Sequence, residues 1–216
     1  MDVDMDARPS SDVAFSDSVK AVQTRRGSRA GYAKVEARGG FRTSITADLV
    51  AFLAEVDTAY LATASAAGQP YTQHRGGPKG FIRVLDDKTL GFADYAGNRQ
   101  YITVGNLAEN DRAFLFLMDY AHRRRVKIWG RARVVEADAE LIARLMPQGY
   151  KARPEQAIIF TVEAWDTNCP QHIPQKLDIA DVVTVVTGLE TRIAELEAEN
   201  ARLKNAMAEQ APSGAT

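Results

Sequence analysis

The spacing of apolar residues changes several times along the chain, and each change marks an element. In TADLVAFLAEVD, Leu49, Phe52, Leu53 and Val56 stand at i, i+3, i+4 and i+7, the stripe of an amphipathic helix behind a Thr46 cap. Short β-rich runs follow at 58–65 (TAYLATAS), 70–75 (PYTQHR), 80–85 (GFIRVL) and 89–94 (TLGFAD). Turn signals at Ala67-Gly68, Gly76-Gly77-Pro78 and Asp86-Asp87 separate them, which predicts an antiparallel meander. NRQYITVGNLAEN (98–110) reads as a helix, although Ile102, Thr103, Val104 and Gly105 are poor helix formers. RAFLFLMDY (112–120) is almost wholly apolar, the pattern of a central strand buried on both faces.

The next run, RRRVKIWGRARVVE (123–136), alternates. Val126, Ile128, Ala132 and Val134 share one side and face a core; Arg125, Lys127, Trp129, Arg131 and Arg133 share the other, toward a polar ligand, a subunit or water. A helix, DAELIARLM (138–146), ends at Pro147, and QAIIFTVEAWD (156–166) supplies a last strand. About six strands with few long helices predict a mainly β fold, a closed antiparallel β-barrel decorated by α-helices.

The two ends differ from this middle. From Ser16 a short helix runs up to Gly27, followed by a Gly-rich connection with no assignable pattern. Residues 1–15 and 208–216 are small, polar and unpatterned, and are expected to be mobile. Toward the C-terminus Val182, Val186, Leu189, Ile193, Leu196, Asn200, Leu203 and Met207 recur at alternating spacings of 4 and 3. That is a coiled-coil seam with Ile193 and Asn200 at a and Leu189, Leu196 and Leu203 at d, which favours two parallel strands and hence a homodimer. A helix folded back on its own barrel is the competing arrangement. The expected organisation is an N-terminal extension (1–40), a barrel domain (41–177), a dimerising coiled-coil helix (178–210) and a disordered tail (211–216).

Composition narrows the setting. Lys+Arg 27 against Asp+Glu 28 gives a formal net charge of -1, so no global field attracts nucleic acid or a membrane surface. A single cysteine, Cys169, excludes an intrachain disulfide, and no apolar run approaches the length of a membrane span. The acidic start MDVDMDARPSSD has no apolar signal core, so a cytoplasmic protein is expected.

Candidate chemistry gathers in HRGGPKGFIRVLDDKTLGFADYAGNRQY (74–101). Arg75, Lys79 and Arg99 supply cationic donors, and Gly76, Gly77, Gly80 and Gly97 would let backbone approach a ligand. Asn98, Arg99 and Gln100 open the expected helix, where free N–H groups favour a phosphate. A hairpin turn with incidental charges is the plainer reading of the glycine run. Arg125 and Lys127 are further ligand candidates, against a solvated strand edge as the alternative. AWDTNCPQHIPQK places Trp165, Asn168, Cys169, Gln171 and His172 in one polar loop able to finish a pocket. Cys169 and His172 lack the further ligands a metal site needs, and Cys169 reads as a small, at least half-buried side chain. No nucleophile arrangement or paired carboxylates stand out, so no catalytic side chain is assigned.

With these segments in hand, the chain resembles the flavin-nucleotide-binding proteins related to pyridoxamine 5′-phosphate oxidase, the FMN-binding split-barrel superfamily. The resemblance spans about residues 40–175 and rests on QHRGGPKGFIRVLDDKTLGFADYAGNRQYITVGNLAEN, FLFLMDYAHRRRVKIWGRARVVE and WDTNCPQHIPQ taken together. It implies a six-stranded split barrel, dimeric, with FMN bound between subunits. It further implies that Gln73, His74 and Arg75 lie along the flavin ring, that Asp94 and Tyr95 flank it, and that Asn98, Arg99 and Gln100 form the phosphate clamp. Gln100 stands where the family has lysine, so Arg75 or Lys79 would compensate. Arg125 and Lys127 would come from the cofactor-contacting strand, while Trp165, Asn168, Gln171 and His172 would close the pocket or reach in from the other subunit. The substrate signature of true pyridoxamine-phosphate oxidases is absent. The resemblance therefore implies an FMN-dependent oxidoreductase on another small substrate, reduced by that substrate or by a nicotinamide donor. The alternatives are a flavin carrier or sensor without turnover, and a haem-binding barrel with His74, His122 or His172 as axial ligand.

Overall fold

The computed structural model describes residues 8–167 and 169–209. Two compact units divide the chain, Met1–Ile173 and Pro174–Thr216.

Strand alternation builds the core of the first unit. Strands β1 (Thr58–Ala64), β2 (Pro70–Gly76), β3 (Arg83–Val84), β4 (Thr89–Tyr95), β5 (Arg112–Asp119), β6 (Arg124–Val135) and β7 (Pro154–Thr167) form one antiparallel sheet in the order β2-β1-β5-β6-β7-β4-β3. Directly opposed residues point to the same face, so the register defines rows. Ala59, Leu117 and Val126 form one row, and Leu61, Leu115 and Ile128 the next, all buried. Leu90, Phe92, Ile158 and Phe160 fill the far half of the same face. Helix α3 (Ala47–Glu55) lays Leu49, Phe52 and Leu53 against this core, as its spacing requires. The edge strand β2 meets the other side of the sheet through side chains rather than a ladder: Arg75 on β2 pairs with Asp94 on β4, the strand next to the far edge. This is a split barrel.

Several elements depart from the sequence reading. The described residues form seven strands, one in each of the β-rich runs, rather than the expected six; the run 80–85 keeps only Arg83–Val84 as strand while Phe81 and Ile82 plug the core. The middle of the sheet is β6, not β5. Only one face of β5 is buried; Phe114, Phe116 and Met118 lie half-buried on the other. With Tyr60, Ala62, Thr72 and Tyr120 they line an open apolar groove of about 440 Å³. Helix α4 spans Ile102–Glu109 and so starts later than expected. Helix α5 (Ala139–Leu145) begins behind Asp138, whose side chain accepts from the Leu141 N–H at 2.9 Å.

The N-terminal segment is more ordered than its composition suggests. A 3-10 turn at Ser10–Val13 and helix α1 (Asp17–Arg26) are followed by a second helix, α2 (Arg29–Glu36), in the stretch that showed no pattern. Gly27 ends α1 with φ +79°, a left-handed cap that glycine takes without strain. Lys20 reaches Asp12 at 2.6 Å and Glu36 at 3.5 Å, and Arg29 pairs with Glu36, which locks the helices together. Phe15 packs edge-on against Tyr32 and Phe41, and Phe41 stacks on Trp129 at 5.3 Å and 10°. The outer face of β6 at Trp129 is thus covered by the chain's own N-terminal segment. Residues 1–7 and the expected disordered tail at 211–216 lie outside the described residues.

The second unit carries helix α6 (Ile179–Glu209). Among the described residues no helix is long and apolar enough to cross a membrane.

Candidate functional site

The rows of the sheet decide which polar residues converge. On β2, Gln73 and Arg75 oppose Leu61 and Ala59 and therefore lie on the core side, at the open seam of the barrel. Asp94 extends the core side of β4, where it opposes Gln156 of β7. Helix α4 closes the third side, with the Thr103 hydroxyl donating to Gln73 Oε1 at 2.7 Å. The loop between β4 and α4 completes the ring. A small pocket of about 40 Å³ lies among them, lined by Gln73, Arg75, Asp94, Tyr95, Gly97, Asn98, Arg99, Tyr101, Thr103, Val104 and Glu155.

Arg75 is the centre of the site. Its guanidinium is only 13% exposed and pairs with Asp94, whose second oxygen accepts from Gln156 Nε2 at 2.8 Å. Burial pushes the Arg75 pKa down from its ordinary value, and the Asp94 carboxylate, then the Tyr71 phenol, oppose that shift. Its Nε is buried and has no hydrogen-bond partner. A buried donor left unpaired is costly, so an acceptor supplied by a ligand would relieve it. Asp94 is committed to holding Arg75 rather than to meeting a ligand.

The loop presents a second set of donors. Asn98 Oδ1 accepts from the Gln100 N–H at 3.2 Å, a local turn that competes with helix. Arg99 and Tyr101 follow with φ of 62° and 52°, left-handed values that non-glycine residues rarely adopt. Such strain occurs where surrounding structure imposes it, often at ligand sites. Tyr101 precedes α4 without a side-chain cap, so the first N–H groups of the helix have no capping partner there. Arg99 is exposed, with Nε 3.3 Å from the Tyr101 hydroxyl, and that contact raises its pKa further. The donor set therefore fits an anion such as the phosphate of FMN: one unpaired buried guanidinium N–H, one exposed arginine and a helix start.

The structure separates the other candidates from this pocket. His74 sits on the opposite face from Arg75, packed edge-on against Tyr60 at 5.8 Å. The strand period forbids three successive residues from lining one ring. Lys79 is half-exposed, with Nζ 4.0 Å from Glu55, and does not line the pocket. Gly77 and Gly80 serve the fold rather than a ligand: a Cβ at Gly77 would stand 2.8 Å from the Phe81 Cβ, and Gly80 has φ +74° against the Ala54 carbonyl. Gln100 is exposed and does not line the pocket, and Asn98–Gln100 precede α4 rather than form its first turn. Lys127 pairs with Asp166 at 3.1 Å and hangs over Phe41 and Trp129. Trp165 is a core residue, 1% exposed, donating from Nε1 to the Ser44 carbonyl at 2.8 Å. Arg125 lines a separate pocket of about 310 Å³ with Arg42, Asp48, Phe52 and Arg124, where its own Nε is also unpaired. Gln171, His172 and Cys169 are exposed, so Cys169 is not the half-buried side chain expected; Asn168 lies outside the described residues.

Thr103, Tyr101, Glu155 and Gln156 belong to the site and were not singled out in the sequence. Gln156 had a signal: it shares the parity of Ile158 and Phe160, which places a polar side chain on the core side of a strand. Among the described residues no group of three or more His, Cys, Asp or Glu side chains could hold a metal ion.

The family model described as "Pyridoxamine 5′-phosphate oxidase" matches residues 45–169, which hold every strand and the whole pocket. The chain belongs to the pyridoxamine 5′-phosphate oxidase family, within the FMN-binding split-barrel superfamily. Among solved structures it is similar to HupZ of Group A Streptococcus, at 21% identity over 62% of this chain and 99% of that one, with a TM-score of 0.48. An FMN-binding protein from Syntrophomonas wolfei subsp. wolfei matches at 10% identity over 68% and 97%, TM-score 0.44. The Vibrio cholerae haem storage protein HutZ matches at 17% identity over 54% and 87%, TM-score 0.37. No curated protein matches the chain.

Proposed function

We propose that this protein binds FMN at the seam of the barrel and uses it as an oxidoreductase on a small substrate other than pyridoxamine phosphate, in the cytoplasm and as a homodimer. The observation that supports it most is the unpaired buried Nε of Arg75 beside Arg99, Asn98 and the uncapped start of α4, in a chain whose family binds FMN or F420 flavin-like cofactors, with haem in some members. These groups would hold the phosphate. When bound, FMN supplies the hydride and electron chemistry, and the protein supplies position and polarity. Gln73, whose amide oxygen is fixed by Thr103, lies on the same face and would orient the polar edge of the ring.

A pocket of about 40 Å³ suits a phosphate, whereas whole-ligand sites run to roughly 300 Å³ or more. The rest of the flavin would therefore extend beyond one chain. The half-buried apolar groove around Phe114, Phe116 and Met118 is the surface best suited to a second copy, which supports the dimer.

Stopped-flow reduction of the FMN-loaded protein by NADH and NADPH tests the catalytic half. An oxidoreductase should be reduced at a rate of roughly 1 per second or faster by one donor. Reduction far slower than that with both donors, and with small reduced substrates, would leave a flavin carrier.

A further inference from the structure

Helix α6 has an apolar stripe that its own chain leaves in water: Val182, Val186, Leu189, Ile193, Leu196 and Leu203 are between 42% and 59% exposed. A helix of 31 residues with such a stripe is stable when the stripe is buried. The heptad places Val186 and Ile193 at a and Val182, Leu189, Leu196 and Leu203 at d, the β-branched-a, leucine-d pattern that selects two strands. Asn200 takes an a position. In a parallel, in-register pair the two Asn200 amides meet and hydrogen-bond; in an antiparallel pair a faces d, and each amide would be buried against an apolar side chain.

The flanking charges choose the same arrangement. Arg192 and Glu199 occupy g, and Glu197 and Lys204 occupy e. In a parallel pair each g residue lies beside the e residue of the following heptad on the other helix. Arg192 would then meet the partner's Glu197, and Glu199 the partner's Lys204, each contact formed twice by symmetry. Within its own helix Arg192 touches Glu195 at 2.9 Å, with side chains 63% and 60% exposed, a weak contact that readily exchanges.

We infer that α6 pairs with α6 of a second copy of this chain as a parallel, in-register, two-stranded coiled coil. Its two-fold axis runs along the coil. The inference rests on α6 alone and is independent of what the barrel binds.

Cross-linking in the full-length protein tests it. On a Cys169→Ser background, Leu196→Cys and, separately, Leu189→Cys place a thiol at d, and Ala198→Cys places one on the outer f position. After equilibration in oxidised and reduced glutathione, both d variants should run mostly as interchain disulfide dimers on non-reducing gels, and the f variant as monomer. Adding Arg192→Glu to the Leu196→Cys chain should lower the cross-linking equilibrium roughly ten-fold, and adding Glu197→Arg as well should restore it. Absence of cross-linking at both d positions would show that α6 packs elsewhere or meets a different protein. Equal cross-linking at 198, or no rescue by the charge swap, would overturn the parallel register.

Discussion

Arg75 serves fold and site at once, and the two roles can be separated by substitution. Its pairing with Asp94 ties the edge strand β2 to β4, while its buried Nε has no partner within the chain. Arg75→Gln leaves the Asp94 carboxylate buried with Gln156 as its remaining partner, and should cost about 3 kcal/mol of stability in urea denaturation. Arg99 is exposed and makes one weak contact, so Arg99→Ala should unfold within about 0.5 kcal/mol of the parent. That variant should nevertheless lose FMN affinity by about ten-fold or more, measured by flavin fluorescence titration, because a charge-assisted phosphate contact is gone. Arg75, Asn98 and Arg99 were readable from residue type as an anion site, Gln73, Asp94 and Tyr95 came from the family resemblance, and the structure brings these six around one pocket. His74 was not separable from its neighbours until strand parity was fixed, and Trp165 looked like a loop residue because its burial depends on Ser44 and Arg42, far away in the chain.

At the scale of elements, strand positions followed from alternation, and failures arose where a few residues override a pattern. Arg99 and Tyr101 adopt left-handed backbone, so the helix cannot begin at Asn98. Two junctions carry further predictions. In the β5–β6 hairpin, Asp119 accepts from the His122 N–H at 3.0 Å and from Arg124 Nε and Nη2 at 2.9 and 2.6 Å. Burial alone would raise the Asp119 pKa, but the His122 N–H, Arg124 and the His122 ring together take it below its ordinary value of 3.8. A carboxylate with a depressed folded pKa stabilises above its unfolded value and loses that contribution as pH falls through the folded one. The stability gap between the parent and Asp119→Asn should therefore be full above pH 3.8 and close below it, in denaturation curves taken across that range. At the irregularity between β6 and β7, a Cβ on Gly130 would stand 2.0 Å from the Thr161 carbonyl oxygen, a backbone atom held by the ladder. Gly130→Ala should cost about 3 kcal/mol, read as a lowered urea midpoint.

For the whole molecule, the sequence was informative about what repeats and silent about what covers what. The strands of the barrel and the long helix α6 follow periodic patterns, and both were legible. The covering of Trp129 by Phe41 and the one-sided burial of β5 depend on packing between distant segments, which no local pattern encodes. That one-sidedness leaves Phe114, Phe116 and Met118 on the outer face of the sheet, opposite the core side that carries Gln73 and Arg75, and the pocket on that side is too small for a whole flavin, so one chain is half of the proposed binding unit. The visible absorption spectrum of the purified protein, before and after incubation with FMN and desalting, tests the cofactor assignment directly. The expected result is the two-band spectrum of oxidised flavin, stoichiometric with the chain, released on denaturation as FMN, and greatly reduced in Arg99→Ala. A Soret band in its place, or no retained chromophore after incubation with FMN, would contradict it.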